Sequence, residues 1–189
     1  MRRPLLFLLL LGGLFLLAYT PPTLRTLQGP FVTEADAPGP ASTSQYTAQI
    51  LPPVVATGHI QVASGDELVA PEGETILVVH LRAAALEVPV EGIHASLAIG
   101  STHYAAGSFT MPQDTLSPST LQPGMWLEGS VAFRMAEPDL REAQEVRLLL
   151  QTWVDEQFAD QLSLRIPTEE IEWQDSHQMP AVGYGGLTG

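Results

Sequence analysis

Short stretches in which apolar and polar residues alternate recur through most of the chain, separated by turn-forming residues. In the stretch 75–82, Leu77, Val79 and Leu81 share one side, and the alternation over 93–99 is equally regular. A period of two places successive side chains on opposite faces of a strand. No stretch keeps the 3.6-residue period of a long helix. The pattern therefore predicts an all-β domain.

The predicted strands are short and evenly spaced. Six or seven of them fall within roughly 115 residues, as a two-sheet sandwich requires. One-sided alternation is expected when each sheet packs a single face on the other. We therefore predict an antiparallel immunoglobulin-like two-sheet sandwich, with a small closed barrel as the alternative. The strands are predicted over 54–63, 75–82, 93–99, 126–135, 145–154 and 161–166, with a hairpin turn at 100–102 and one helical turn over 139–144.

The chain opens with two arginines followed by an uncharged apolar block that ends at residue 19. About 16 residues at 1.5 Å rise make about 24 Å of helix, against about 30 Å of hydrocarbon core. The two arginines can reach the cytoplasmic headgroups, and the tyrosine at the end of the block suits the aromatic belt of the membrane interface. Because positive charge stays on the cytoplasmic side, the N-terminus is predicted to lie inside and the rest of the chain outside the cytoplasm. The residues predicted to hold this single apolar helix in the membrane are Arg2, Arg3, Leu8, Leu14 and Tyr19.

Whether this helix is cleaved depends on the residues that follow it. Its shortness favours a cleaved signal peptide, but a peptidase site needs small residues at −3 and −1. The nearest candidate places Thr20 at −1 and Pro21 after the scissile bond, and proline lacks an N–H and has a fixed φ. We therefore predict an uncleaved, single-pass signal anchor, with a cleaved signal and a secreted domain as the alternative.

Composition divides the chain into four parts. Residues 1–20 are the anchor, and residues 21–45, rich in Pro, Ala and Ser, read as a flexible tether. The β-sandwich is predicted over 46–167. Residues 168–189 are acidic and then Gly-rich, and are predicted to be largely disordered, with 171–173 as a short segment that could dock.

The charge balance is strongly acidic. The chain has a formal net charge of −13, and once the two N-terminal arginines are set aside, six basic residues face 21 acidic ones. This excludes nucleic acid and strong adhesion to anionic lipid, because both need a basic surface. The absence of cysteine excludes a lipid-modified cysteine anchor and disulfides, so burial alone must hold the domain together.

The order of these signals resembles a known family. A Leu-x-Pro-Gly turn at 121–124 precedes a Gly-x-Val-x-Phe strand at 129–133, with Pro138 as a last element. This pattern resembles bacterial exported immunoglobulin-like domains of unknown function, over about 54–166. The resemblance implies the fold and an exported, membrane-anchored location, and it transfers no catalytic residue. The chain departs from the family at 83–87, where an Asn-x-Gly-like turn is expected.

Two histidines are candidates for a metal site. His94 and His103 flank the predicted hairpin turn and could approach each other across it, and imidazole with methionine sulfur would suit copper or zinc. No His-x-His spacing occurs in the chain, and neither of these two histidines stands in a His-x-Met spacing. Solvated or structural histidines are the alternative, and no cofactor is predicted.

Signals for catalysis are missing, whereas large aromatic side chains offer contact surface. No G-x-S-x-G elbow occurs, so the chain is predicted not to be an enzyme.

Indole rings are frequent binding anchors, and Trp126, Trp153 and Trp173 are the candidates for contact with a partner.

These observations lead to one function with two alternatives. We predict a non-catalytic, extracytoplasmic binding or scaffolding module, tethered to the membrane and acting as an accessory protein of an envelope complex. Its partners would be the membrane and an envelope protein, and no nucleic acid. The alternatives are an envelope protein that binds a metal or small ligand, and a hydrolase with an unrecognised site.

Overall fold

A computed structural model describes residues 31–36, 39–107, 115–152 and 160–184. The predicted N-terminal helix, with Arg2, Arg3, Leu8, Leu14 and Tyr19, lies outside these residues. No helix in the described ranges could cross a bilayer. The strands are β1 Phe31–Ala35, β2 Ala41–Ser42, β3 Tyr46–Thr57, β4 His59–Gln61, β5 Glu67–Val69, β6 Glu74–Ala85, β7 Val90–Glu91, β8 Ile93–Ile99, β9 Thr102–Ala105, β10 Thr120–Leu121, β11 Leu127–Ala136, β12 Val146–Thr152, β13 Asp160–Ile166, β14 Ile171–Gln174, β15 His177–Gln178 and β16 Gly183–Tyr184. Helix α1 spans Glu137–Arg141, and a 3₁₀ turn spans Thr168–Glu170.

The strands form two large sheets and two small ones. The first large sheet has the order β1-β13-β12-β8-β9, and the second has the order β14-β3-β6-β11-β16, with β2 paired to β3. Strands β4, β5 and β15 form one small sheet, and β7 pairs with β10. The all-β prediction is therefore confirmed, and the described strands build separate sheets rather than a closed barrel.

The main hydrophobic core lies between the two large sheets. Leu77, Val79 and Leu81 of β6 face Leu148 and Leu150 of β12 across it, and all five are fully buried. The same alternation that predicted the strands thus selects which side chains enter the core.

Tyr46 ties the two sheets together. Its side chain is fully buried, and its hydroxyl donates a 2.7 Å hydrogen bond to the carbonyl of Leu150 in the opposite sheet. Burial raises the pKa of Tyr46 well above its ordinary value, because the ionised phenolate would lose its hydration there. The contact therefore stays a hydrogen bond from a neutral phenol at ordinary pH.

A second, smaller core covers the outer face of the second large sheet. Ile76 and Val78 of β6 point away from the main core and meet Ile60, Val62 and Met179. The small sheet of β4, β5 and β15 supplies part of this cover. Strand β6 therefore carries apolar side chains on both faces, as expected of a strand that is covered on both sides.

The chain limits of the domain differ from the prediction. Strand β1 pairs with β13, so the domain begins within the predicted tether. Strand β14 pairs with β3, so it continues into the predicted disordered tail. Both pairings are parallel, which departs from the predicted antiparallel arrangement. Strands β1 and β14 lie at sheet edges and contain few apolar residues, so they show little of the alternation that predicts a strand. The strands they pair with, β13 and β3, are distant in the sequence.

Candidate binding groove

The two large sheets leave a groove open along one flank of the sandwich. Its volume is about 490 Å³, and its walls come from the ends of β1 and β13, the middle of β3 and the start of β14. Sites of this size hold a small ligand or a few side chains of a partner. The apolar part of the lining includes Ile50, Pro53, Val54, Ile166 and Ile171.

A gap in strand pairing creates the groove. Strand β2 covers Thr47 and Ala48 on the outer edge of β3, and β14 covers the stretch from Val54 onward. Between them the prolines 52 and 53 cannot donate ladder hydrogen bonds because they have no N–H. The register of β3 against β6 also shifts between Leu51 and Val55. The predicted strand begins only at residue 54; β3 instead runs through both prolines, and none of the described strands pairs with its outer edge there.

The rim of the groove is acidic. Asp36, Glu169, Glu170 and Glu172 line it, and all four are exposed. Arg165 is the only basic residue among the described residues of the lining. An apolar floor with a negative rim favours an apolar ligand that carries positive charge.

An arginine fixes one end of this rim. The guanidinium of Arg147 donates to Asp36 at 2.9 Å and to Glu145 at 2.7 Å. It also lies 3.3 Å from the Ser163 hydroxyl. These contacts join β1, β12 and β13, so the end of β1 that borders the groove is held in position.

A second cavity, of about 530 Å³, lies beside helix α1 and is lined about equally by polar and apolar surface. The hydroxyl of Tyr104 donates to Asp139 at 2.5 Å. Burial and this carboxylate together raise the pKa of Tyr104 to about 12. The cavity brings no recognisable catalytic pair together, so it is a weaker candidate than the groove.

The structure does not bring the two candidate metal ligands together. His94 lies on β8 and His103 on β9, where His103 pairs with Ala98. Four residues of strand, at about 3.3 Å each, separate the histidines by about 13 Å along the sheet. Both are exposed on the outer face. Within the described ranges, no group of three or more His, Asp or Glu side chains could hold a metal ion.

Two other histidines, His80 and His177, interact electrostatically, and no sequence pattern indicates this. His80 of β6 is half-buried, with its Nδ1 3.2 Å from the Ser130 hydroxyl. Burial lowers the pKa of both His80 and His177, and the charge of His80 lowers the pKa of His177 further. They belong to strands 97 residues apart, so no local spacing could reveal them.

The tryptophans have separate settings. Trp126 is half-buried, with the Arg82 guanidinium 4.7 Å from its ring centre. Trp173 of β14 is exposed, with the guanidinium of Arg141 stacked at 3.7 Å. Both are cation–π pairs. Trp126 and Trp173 therefore pack against different arginines, one in β6 and one in helix α1, and do not share one contact site. Trp153 lies outside the described residues.

Sequence reasoning missed the groove because its parts looked unrelated. The prolines of β3 lie before the predicted strand 54–63, and the glutamates at 169, 170 and 172 lie in the segment that was predicted to be disordered. The signal that joins them is the parallel pairing of β14 with β3, which a sequence pattern does not show.

Comparisons with known proteins show distant structural similarity only. No protein-family model matches the chain, and no curated protein matches it significantly. A conserved hypothetical protein from Bacillus anthracis aligns with a TM-score of 0.48 at 12% identity, over 67% of this chain and 93% of that one. YcdA, a lipoprotein candidate from Bacillus subtilis, aligns with a TM-score of 0.49 at 13% identity, over 71% of this chain and 40% of that one. An uncharacterised β-sandwich protein from Clostridium difficile aligns with a TM-score of 0.43 at 10% identity, over 73% of this chain and 96% of that one.

Proposed function

We propose that this protein is a non-catalytic binding module, tethered to the membrane by its N-terminal segment and acting outside the cytoplasm as an accessory protein of an envelope complex. In this proposal the domain is an immunoglobulin-like sandwich and the apolar helix of residues 1–20 is not cleaved. The groove between β3 and β13 is the contact site. The observation that carries the proposal is the combination of an apolar floor and an acidic rim in that groove.

The floor of the groove favours a partner that binds through its side chains, not one that adds a strand through its backbone. An exposed strand edge usually recruits a partner strand through N–H and C=O groups. Here neither Pro52 nor Pro53 has an N–H, so this part of β3 has no backbone donor to offer a partner strand. A partner is therefore held by apolar side chains placed against Ile50, Val54 and Ile171.

The rim sets the charge of the partner. Four carboxylates surround the opening and one arginine opposes them. A partner segment with lysine or arginine beside its apolar residues would gain from this arrangement, and an acidic segment would be repelled. The tether raises the local concentration of any partner in the same membrane, so a weak contact is sufficient.

The experiment is purification of the full-length chain from its native membrane in mild detergent, followed by intact-complex mass measurement. We expect a second protein at fixed stoichiometry. The triple variant Glu169→Gln, Glu170→Gln, Glu172→Gln should lose it, because the rim is then neutral at three positions.

A charge-matched control separates the rim from the overall charge of the protein. Glu34, Glu72 and Glu91 are exposed and do not line the groove, and their exchange to Gln should leave the complex intact. A lone chain in every preparation, or equal loss from both triple variants, would refute the groove as the partner site.

A further inference from the structure

One end of the sandwich is where the chain enters from its N-terminal segment. Strand β1 begins there at Phe31, beside Asp160 of β13. Asp160 accepts hydrogen bonds from the backbone N–H (3.0 Å) and the hydroxyl of Ser44, just before β3. The starts of β1, β13 and β3 therefore lie together, and we call this the entry end.

Two loops at the entry end carry exposed apolar side chains. The backbone N–H of Leu86 donates to the carbonyl of Gln45 at 2.9 Å, and Gly124 donates to Ala85 at 3.2 Å. Both loops therefore sit next to the start of β3. Their side chains are open to solvent: Leu86 is 43% exposed, Val88 64% and Met125 49%.

The N-terminal sequence before Phe31 bears on which surface lies next to these loops. The uncharged apolar block ends at residue 19, which leaves eleven residues before Phe31. A chain of that length reaches at most about 40 Å when fully extended. The entry end is therefore held close to whatever surface holds the apolar block.

We propose that the entry end rests on that lipid surface, with Leu86, Val88 and Met125 inserted at the level of the headgroups. This inference rests on the proposed membrane tether. Separate apolar loop tips can enter a fluid interface without the shape complementarity that a protein partner requires. Trp126 follows Met125 in the same loop, and indole rings favour the membrane interface.

Charge defines the kind of lipid. Glu87 stands between Leu86 and Val88, and it is exposed. A carboxylate at this place disfavours anionic headgroups. The contact should therefore be strongest on a zwitterionic surface, and added anionic lipid should weaken it.

The absence of cysteine makes a direct test possible, because one introduced thiol gives one labelling site. Val88→Cys and, separately, Met125→Cys in the full-length chain are labelled with an environment-sensitive fluorophore and reconstituted in phosphatidylcholine vesicles that contain nitroxide-headgroup lipid. We expect several-fold stronger quenching, with a blue-shifted emission, than for the control Val69→Cys. Val69 is 70% exposed but lies near Gly58, at the opposite end of β3.

Equal quenching at positions 88, 125 and 69 in protein that floats with the vesicles would overturn the inference and leave the tether standing. Protein that fails to float with vesicles would overturn the tether itself. A blue shift that follows protein concentration and not nitroxide lipid would assign the entry end to a second copy of the chain, and would also overturn the inference.

Discussion

Gly129 shows how a single residue can hold several segments in place. It lies on the inner side of β11, and a Cβ at this position would stand 3.0 Å from Cγ2 of Val182 and 3.2 Å from Cβ of Leu116. Leu116 belongs to the segment before β10 and Val182 to the C-terminal segment. The missing side chain thus lets two distant parts of the chain pack on the same strand.

Replacing this hydrogen with a methyl group should be costly. Gly129→Ala is expected to lower the free energy of unfolding by about 1–3 kcal/mol, because both neighbours must move in a packed core. The measurement is urea unfolding of the full-length chain, followed by tryptophan fluorescence. Gly58→Ala is the control, since nothing lies within 4 Å of its added methyl, and it should change the free energy of unfolding by less than about 1 kcal/mol. Equal effects of the two variants would contradict this account of Gly129.

For single residues, the sequence predicted which face of a strand a side chain occupies, but not which distant residues it contacts. In the predicted strand 126–135, a period of two puts Leu127, Val131 and Phe133 on one face, and all three are buried. It could not indicate that Gly129 must stay small, because the reason lies in Leu116 and Val182. Long-range contacts of this kind leave no local period to read.

The C-terminal segment is the element that departs most from its sequence pattern. Its acidic residues 169, 170 and 172 are exposed, as expected of a solvated tail. Ile171 nevertheless joins the main core, and Met179 enters the second one. The backbone N–H of Met179 also donates to Gln61 at 2.8 Å. Two apolar residues eight positions apart form no recognisable period, which is why disorder was predicted.

Met179 should anchor this segment to the outer face of β6. Its side chain is almost fully buried among Ile60, Val62, Ile76 and Val78, so Met179→Ala is expected to cost about 2–4 kcal/mol of folding free energy. Thermal and urea unfolding would measure the loss. Val69→Ala, an exposed apolar truncation, should change the same quantity by less than about 0.5 kcal/mol. A neutral Met179→Ala would show that the segment contributes little to the fold.

For the whole molecule, the excess of negative charge opposes compaction. A formal net charge of −13 on 189 residues places many carboxylates within each other's reach. Sheet packing, not charge, therefore supplies the stability, as the two buried cores indicate. The absence of disulfides makes the domain depend on this packing alone.

Screening should accordingly stabilise the protein. Raising NaCl from about 10 mM to about 100 mM shortens the Debye length from about 30 Å to about 10 Å. We expect the melting temperature of the full-length chain to rise over this range, and to rise less for the triple glutamine variant of the groove rim, which carries fewer repelling charges. Circular dichroism at constant pH would measure it. A melting temperature that stays constant or falls with salt would contradict a destabilising role for the charge.

The parallel pairing of β1 with β13 has a mechanical consequence. If the membrane holds the chain before Phe31 while a partner pulls on the groove, tension enters β1 at its first residue and runs along the strand axis. The five residue pairs from Phe31↔Asp160 to Ala35↔Leu164 then share the load in shear. These pairs must then break together and not one after another, so this short edge strand would resist a pull on the chain before Phe31.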